Sequence, residues 1–335
     1  MPTVYAALDD ALLVVRGDPG DRTADRTLDD HDLDCLAVAP GAGENGDRVF
    51  CGTFDAGLWR SEDGADSWER VGEGTVGNKV MSVAVNPDDP DEVWAGTEPS
   101  AVYRSTDGGE AWTVREGLTD LPSASSWSFP PRPYTHHVRW IEVDPADPAH
   151  LYVSIEAGAL VQTFDRGETW EDRMPDSRRD NHSLTTHPEA PGLAWAAAGD
   201  GYAETVDGGA TWSHPQEGLD HRYCWSVAVD AEDSRTVLVS AARGARSAHN
   251  PASAESYVYR KRGDEPWERC DADLPAGEGM VRAVLARGDD GGEFYAATNR
   301  GLFETADAGE TWEAFDVEWP AAFEEQTPSG LRVVF

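Results

Sequence analysis

The stretch Thr205-Val206-Asp207-Gly208-Gly209-Ala210-Thr211-Trp212 is one copy of an eight-residue box that recurs along this chain. Clear copies occupy residues 61–68, 105–112, 163–170, 205–212 and 305–312, and a degenerate copy keeps only Gly263 and Trp267. Self-similarity at a period of about 40–60 residues is typical of proteins built from small repeated sheets. The boxes therefore predict a repeat architecture.

Each box lies between two short apolar segments, an order that predicts strand, turn and strand. For example, Leu58-Trp59-Arg60 precedes the first box, and the next segment begins at the box Trp. The box Asp can accept hydrogen bonds from turn amides, and the Gly residues allow the positive φ angles of a tight turn. The Trp is large enough to fill the gap between neighbouring sheets. These roles are structural, so the boxes predict no catalysis.

The consensus Ser/Thr-x-Asp-x-Gly-x-Thr-Trp resembles the Asp-box, or BNR repeat, of sialidases, sortilin-type receptors, several glycoside hydrolases and the photosystem II assembly factor of the Ycf48 type. The copies extend over nearly the whole chain. The resemblance implies a β-propeller. It implies no particular reaction, because these relatives share turns and not chemistry.

The segments between boxes predict four short antiparallel strands per repeat, which is the composition of a propeller blade. An early apolar strand ends near Pro or Asp, as in residues 80–87, and two further strands lead to the box and the Trp segment. The predicted units are 32–71, 79–116, 138–174, 180–215, 223–271 and 280–316.

The two ends of the chain predict a seventh blade. Residues 3–15 are typical of second and third strands, and residues 331–335 are typical of a first strand. Pairing residues 3–29 with residues 329–335 would close the ring and leave no open edge. We therefore expect an all-β chain whose residues 1–335 form a single seven-bladed β-propeller domain.

The composition constrains compartment and partners. The 335 residues include 63 acidic and 27 basic side chains, a formal charge of −36, and Lys79 and Lys261 are the only lysines. This balance resembles proteins of salt-in halophiles, where salt screens self-repulsion. It disfavours nucleic acid as a partner. The sequence shows no secretory signal, no membrane-spanning apolar run and no CxxC pair, which predicts a reduced cytoplasmic protein without membrane insertion.

Alternation along the first strands predicts a ring of side chains at one end of the central channel. The equivalent positions are Asp34, Met81, Arg139, His182, Trp225 and Arg282, with Arg332 in the closing blade. The predicted ligand-binding residues are Arg139, His182, Trp225, Arg282 and Arg332, with His137, Arg222 and Tyr223 just before first strands. Polar strand ends that merely meet solvent would give the same pattern.

Two long insertions, residues 117–136 and 243–256, are expected on the same face as this ring, and long loops often carry function. Guanidinium groups bind carboxylates through bidentate hydrogen bonds. The leading hypothesis is therefore a non-catalytic binding or assembly propeller for an anionic ligand, either an acidic peptide segment or a carbohydrate.

The alternative hypothesis is a glycoside hydrolase or polysaccharide lyase acting on an anionic sugar. Glycosidases need two carboxylates across the scissile bond, and Glu98 and Glu156, which follow second strands, are the candidate catalytic acids. Sialidases also carry an Arg-Ile-Pro motif before the first box, and this sequence contains none. That difference counts against a sialidase.

No cofactor and no resident metal are predicted. His31, His137, His182 and His221 recur before or within first strands and could converge on one ion in a metal-dependent lyase. The chain has no short ligand spacing such as His-Glu-x-x-His. These four histidines are therefore only weak candidates for metal ligands.

Overall fold

A computed structural model describes residues 2–29 and 31–335, so Met1 and Asp30 of the expected 1–335 domain lie outside it. The described chain is all-β and forms seven sheets, numbered here as blades 1–7. From the innermost strand outward, blade 1 contains Gly330–Val334, Thr3–Ala7, Leu12–Arg16 and Thr23–Thr27, blade 2 contains Leu33–Ala39, Arg48–Thr53, Leu58–Ser61 and Glu69–Val71, and blade 3 contains Val80–Asn86, Asp89–Thr97, Val102–Ser105 and Thr113–Arg115. In the same order, blade 4 contains Val138–Val143, Leu151–Ile155 and Ala159–Thr163, and blade 5 contains Asn181–Thr186, Ala194–Ala198 and Gly201–Thr205. Blade 6 contains Tyr223–Val229, Thr236–Ala242, Glu255–Arg262 and Glu268–Arg269, and blade 7 contains Val284–Arg287, Phe294–Thr298, Gly301–Thr305 and Glu313–Ala314.

The predicted seven-bladed ring is confirmed. The first strands contact one another in sequence around the ring, and the C-terminal strand Gly330–Val334 contacts the first strands of blades 7 and 2. This strand is innermost in blade 1 and pairs antiparallel with Thr3–Ala7. The two ends of the chain thus complete one blade, as expected.

The outer strands differ from the predicted four per blade. In blades 4 and 5 the fourth strand is reduced to single bridges, Gln162–Glu171 and Glu204–Ser213. Pro175 and Pro215 follow these bridges, and proline cannot donate a hydrogen bond to a longer ladder. Blade 6 instead gains a short strand, Gly277–Glu278, beyond its expected end at residue 271.

The boxes adopt one hydrogen-bonded turn. In the copy that begins at Thr163, the Asp165 carboxylate accepts the Thr163 hydroxyl and the Thr169 amide, each at 2.8 Å. The Thr163 hydroxyl in turn accepts the Gly167 amide at 2.9 Å, where φ is +76°. The box Trp often reaches the preceding blade, as when Trp312 donates to the Cys270 carbonyl at 2.8 Å. The box residues thus hold turns and join blades.

Short helices occur in the two insertions and near the C-terminus. They are the 3-10 helices Leu118–Asp120, Pro122–Ser126, Pro251–Ser253 and Ala321–Glu325, and the α-helix α1, Ala245–His249. None of the described helices has the length and apolar character that would let it cross a membrane.

Candidate functional site

The predicted ring residues of blades 2–6 occupy β-bulges. The pairing of first and second strands shifts register at Asp34, Met81, Arg139, His182 and Trp225. A bulge inserts one unpaired residue and re-aims its side chain. The five residues are therefore equivalent, as expected, although sequence alternation alone did not predict the bulges.

Arg282 and Arg332 do not occupy the first-strand position equivalent to that of Arg139, contrary to the sequence-based expectation. Trp140 pairs with Ser154 directly after the Arg139 bulge. The corresponding pairs are Val284–Ala297 in blade 7 and Gly330–Ala7 in blade 1. Ala283 and Ser329 thus take the ring positions. The register of each strand is set by its pairing with the neighbouring strand, which alternation along one strand cannot reveal.

A central cavity of about 470 Å³ extends along the first strands from the ring toward their carboxyl ends. At the ring it is lined by Asp34, Met81, Arg139, His182 and Trp225. Further along it is lined by Trp140, Glu142 and Arg332, and at the carboxyl ends by Pro87, Pro145, Pro188 and Phe335. This volume suits a small ligand or a side chain.

The ring end of the central cavity is packed by a stack around Trp225. The guanidinium carbon of Arg282 lies 3.6 Å from the Trp225 ring centroid, and that of Arg139 lies 4.7 Å away. His249 of α1 packs edge-on against the same ring, with centroids 4.5 Å apart. Arg282 also donates to the Pro328 carbonyl. Insertion 243–256 therefore packs over the ring end of the central cavity.

Burial strongly lowers the pKa of Arg282, and the neighbouring positive charge of Arg139 adds to this effect. Arg282 is nearly inaccessible, and its nitrogens already contact His249 and Pro328. Its position fits a structural role that anchors α1 and the segment before the C-terminal strand.

Arg139 and Arg332 both line the central cavity and retain unused hydrogen-bond donors. Among the residues that the structure describes, Arg332 donates only to the Leu331 carbonyl at 2.9 Å, and Arg139 Nε is buried without a partner. Within the described residues, the nearest carboxylate oxygen to either guanidinium is Glu156 Oε2, 3.9 Å from Arg139 Nε. That distance exceeds a hydrogen bond.

Two acids of the central cavity have raised pKa values. Burial raises the pKa of Asp34 to about 6, although the positive charge of Arg139 opposes the shift. Burial also raises the pKa of Glu142, against hydrogen bonds from Thr186 and Trp140. Neutral acids in this cavity would leave the charges of Arg139 and Arg332 less compensated.

The candidate acids Glu98 and Glu156 lie on opposite sides of His137. His137 Nε2 hydrogen-bonds Glu156 Oε2 at 2.7 Å, and His137 Nδ1 lies 3.6 Å from Glu98 Oε2. Glu98 also accepts hydrogen bonds from Lys79 at 2.9 Å and Arg132 at 2.6 Å. Both carboxylates are thus already paired with nitrogen donors.

Both candidate acids have lowered pKa values. Burial alone would raise the pKa of Glu156, but the His137 hydrogen bond and nearby positive charge lower it to about 2. For Glu98, burial is likewise outweighed by hydrogen bonds from Arg132 and Lys79. Each side chain therefore favours its ionised form.

The four candidate histidines do not converge. His137 and His182 lie on either side of Glu156. His31 instead stacks on Trp59, with ring centroids 4.9 Å apart. His221 hydrogen-bonds the Tyr259 hydroxyl at 2.6 Å. Only two of the four therefore share one neighbourhood.

The other predicted residues lie near the covered ring. Tyr223 hydrogen-bonds His249 at 3.0 Å. Arg222 is exposed and donates to the Leu219 carbonyl at 3.4 Å. Neither Arg222 nor Tyr223 lines the central cavity.

A second cavity of about 320 Å³, called the side cavity here, is lined by Ser128, Pro130, Ala157, Arg179, Asp180 and Asp200. The sequence-based site omitted Asp180, which groups with Glu156 and His182 within 4.8 Å. A signal was present, because Asp180 precedes His182 by the same spacing that separates His137 from Arg139.

No protein-family model and no curated protein matches this sequence. Solved structures with a similar fold include an ancestral GH74 enzyme, 15% identical, with a TM-score of 0.65, over 93% of this chain and 40% of that chain. The GH74 enzyme of Niastella koreensis is 15% identical, with a TM-score of 0.63, over 92% of this chain and 55% of that chain. YCF48 bound to D1 peptide is 18% identical, with a TM-score of 0.60, over 85% of this chain and 81% of that chain. The chain thus spans about half or less of the two GH74 chains. These likenesses show a shared propeller fold.

Proposed function

We propose that this chain is a non-catalytic binding or assembly propeller whose central cavity receives a carboxylate of an acidic peptide segment. The proposal rests on one observation: Arg139 and Arg332 line the same cavity, and neither hydrogen-bonds a carboxylate within the described part of the chain. In a sequence with 63 acidic and 27 basic residues, two neighbouring arginines that hydrogen-bond no carboxylate of the described chain are unusual.

A buried guanidinium is costly when its hydrogen-bond donors remain unsatisfied. Removing a guanidinium from water is unfavourable unless its charge is paired and its donors are satisfied. A ligand carboxylate between Arg139 and Arg332 would supply both, through charge-assisted hydrogen bonds. The cavity volume of about 470 Å³ is large enough for an acidic side chain and its neighbours.

YCF48, a propeller with a similar fold, has been solved with a bound peptide, which is compatible with peptide recognition by this architecture. At 18% identity, the similarity to YCF48 shows the fold alone. The proposed ligand is therefore inferred from the cavity of this chain.

A glycan-active enzyme is the weaker alternative. A glycosidase needs one protonated carboxyl group as general acid, and the pKa values of both Glu98 and Glu156 are lowered. Glu98 is also held by Lys79 and Arg132. These contacts favour recognition over acid catalysis.

The test is calorimetric titration with N-acetylated hexaglutamate, with hexaglutamine as the uncharged probe. We expect the unmodified protein to bind hexaglutamate more tightly. Arg139→Gln with Arg332→Gln should weaken this binding at least about tenfold per residue, because each change removes a desolvated charge-assisted contact. Arg243→Gln is the control, since Arg243 is 77% exposed and lies outside the cavity.

Equal binding of hexaglutamate and hexaglutamine, or unchanged affinity in the double variant, would contradict the proposal. Oligogalacturonate serves as the second probe. Release of new reducing ends or unsaturated sugars from it would support the glycan-active alternative instead.

A further inference from the structure

His182 presents an unused nitrogen lone pair inside the protein. Its Nδ1 lies 2.7 Å from the Cys224 carbonyl oxygen. A carbonyl oxygen only accepts hydrogen bonds, so Nδ1 carries a proton and Nε2 is the ring nitrogen available to bind a cation. The His182 side chain is 0% exposed, and Nε2 has no hydrogen-bond partner anywhere in residues 2–29 and 31–335.

Two carboxylate oxygens lie near this lone pair. Glu156 Oε1 is 3.9 Å from His182 Nε2, and Asp180 Oδ2 is 3.8 Å away. The other oxygen of each carboxylate is already engaged: Glu156 Oε2 by His137, and Asp180 Oδ1 by the Ala157 amide at 2.8 Å. Three electron-rich atoms thus surround one small space, and they repel one another unless a cation lies between them.

The backbone leaves room for this space at Gly199. A Cβ atom on Gly199 would lie 2.2 Å from Asp180 Oδ2 and 3.1 Å from His182 Cε1. Gly199 does not have a positive φ angle. A side chain at position 199 is therefore disfavoured by the Asp180 and His182 side chains, and not by the backbone conformation.

The three side chains join two blades and can be reached from outside. Glu156 follows the second strand of blade 4, whereas Asp180 and His182 begin blade 5. Asp180 is 30% exposed and lines the side cavity. An ion could therefore enter past Asp180 without passing through the covered ring.

We propose that Glu156, Asp180 and His182 bind one divalent transition-metal cation of the Zn²⁺ type between blades 4 and 5. One imidazole nitrogen and two carboxylate oxygens form a donor set that Zn²⁺ accepts, with bonds of about 2.0–2.2 Å. The three atoms, which lie within 4.8 Å of one another, need only a small inward movement. Three protein ligands would leave a further coordination position for water or another small ligand.

His137 and Cys224 support this geometry without contacting the ion. The hydrogen bond from His137 Nε2 orients the Glu156 carboxylate, and the Cys224 carbonyl orients the His182 ring. Outer partners of this kind are typical of metal ligands. The site adjoins the central cavity, because His182 also lines that cavity and Glu156 Oε2 lies 3.9 Å from Arg139 Nε. Its three ligands do not include Arg139 or Arg332, so Zn²⁺ binding and peptide binding can be measured separately.

The experiment uses the 335-residue protein, treated with EDTA and dialysed, then titrated with Zn²⁺ in excess Mg²⁺ to suppress binding by surface acids. We expect one Zn²⁺ per chain, a raised melting temperature, and visible d–d absorption when Co²⁺ replaces Zn²⁺. Asp180→Asn should retain the Ala157 hydrogen bond but weaken Zn²⁺ binding at least about tenfold. Gly199→Ala should have the same effect by occupying the site.

Asp200→Asn is the matched control, because Asp200 lines the same side cavity without belonging to the three-residue cluster. It should bind Zn²⁺ as the unmodified protein does. If Gly199→Ala does not fold, the partly exposed Asp180→Asn variant decides the outcome. Less than half an equivalent of Zn²⁺ on the unmodified protein, or undiminished affinity in Asp180→Asn, overturns the proposal and means that the space holds solvent.

Discussion

Tyr5 and Arg332 pair directly across the antiparallel strands that join the two ends of the chain. The Tyr5 ring is buried, and its hydroxyl donates to Asp47 in blade 2 at 2.8 Å. Arg332 lines the central cavity from the same pair of strands. Closure of the ring and construction of the cavity therefore depend on the same non-local contact.

Deletion of residues 331–335 should strongly destabilise the protein. It would remove the innermost strand of blade 1 and expose the inner edge of Thr3–Ala7, together with the buried Leu331 position. The free energy of unfolding from urea titration and the fraction of soluble protein measure the effect. Removal of Phe335 alone is the control, because Phe335 is 49% exposed and lies beyond the paired residues. Equal stability of the two deletions would contradict a closing role.

Asp107→Ala, Asp165→Ala and Asp207→Ala should each lower the free energy of unfolding by about 1–2 kcal/mol. Each Asp accepts a hydrogen bond from a backbone amide four residues later and one from the first hydroxyl of its box, in the manner of a helix N-cap. Urea titration checks the magnitude, with exposed Glu313→Ala as a control. Hexaglutamate affinity, measured on the folded variants, should stay unchanged. A loss of affinity without destabilisation would place the boxes in the ligand site.

Asp34→Asn should stabilise the protein increasingly as pH rises. The folded pKa of about 6 exceeds the ordinary value of 3.8 because burial disfavours the charged form. The folded state therefore binds this proton more tightly, and the stability it provides is present below pH 3.8 and is lost as pH rises through about 6. Arg139, Asp32, His137 and Glu156 contribute the surrounding charges.

Urea midpoints measured between pH 4 and 8 would show this difference. The gap between Asp34→Asn and the unmodified protein should widen up to about pH 6–7 and then become constant. Exposed Asp120→Asn should show no such pH-dependent gap. A gap that stays constant across the range would show that the folded state does not bind the Asp34 proton more tightly.

Gly52→Ala should destabilise the protein by about 1–3 kcal/mol through overpacking between blades 2 and 3. An added Cβ would lie 2.4 Å from Cys35 Sγ and 2.6 Å from the Val80 carbonyl oxygen. The carbonyl belongs to backbone, so a side-chain rotation cannot relieve that contact. Gly77→Ala is the matched control, because nothing described lies within 4 Å of its added Cβ. Thermal melting of both variants compares the two sites, and equal melting temperatures would contradict close inter-blade packing at Gly52.

The blade architecture could be predicted from the sequence, because the residues that form each turn and its flanking strands are close together in the chain. A box such as Thr163 to Trp170 contains the Asp, Gly and hydroxyl residues that form its own turn. Apolar strands flank each box at short range, so counting boxes and strands predicted seven blades. The C-terminal segment could also be assigned, because blade 1 otherwise lacked a first strand.

The candidate site could be predicted only in part from the sequence. Bulge positions and strand register decide which side chains reach the cavity, and register depends on pairing between strands. Alternation thus assigned Arg139, His182 and Trp225 to equivalent first-strand positions, as the structure has them. It assigned Arg282 and Arg332 to the same position, which they do not occupy. The cover that α1 forms over the ring was not visible in any short pattern.

The sequence by itself determined the repeated turns, the all-β class and the closure of a seven-bladed ring, because each depends on residues close together in the chain or on the count of strands. Only the tertiary structure decided which charges share a cavity and which two carboxylate oxygens lie near His182 Nε2. Those atoms come from different blades, and their separation depends on the packing of one blade against the next.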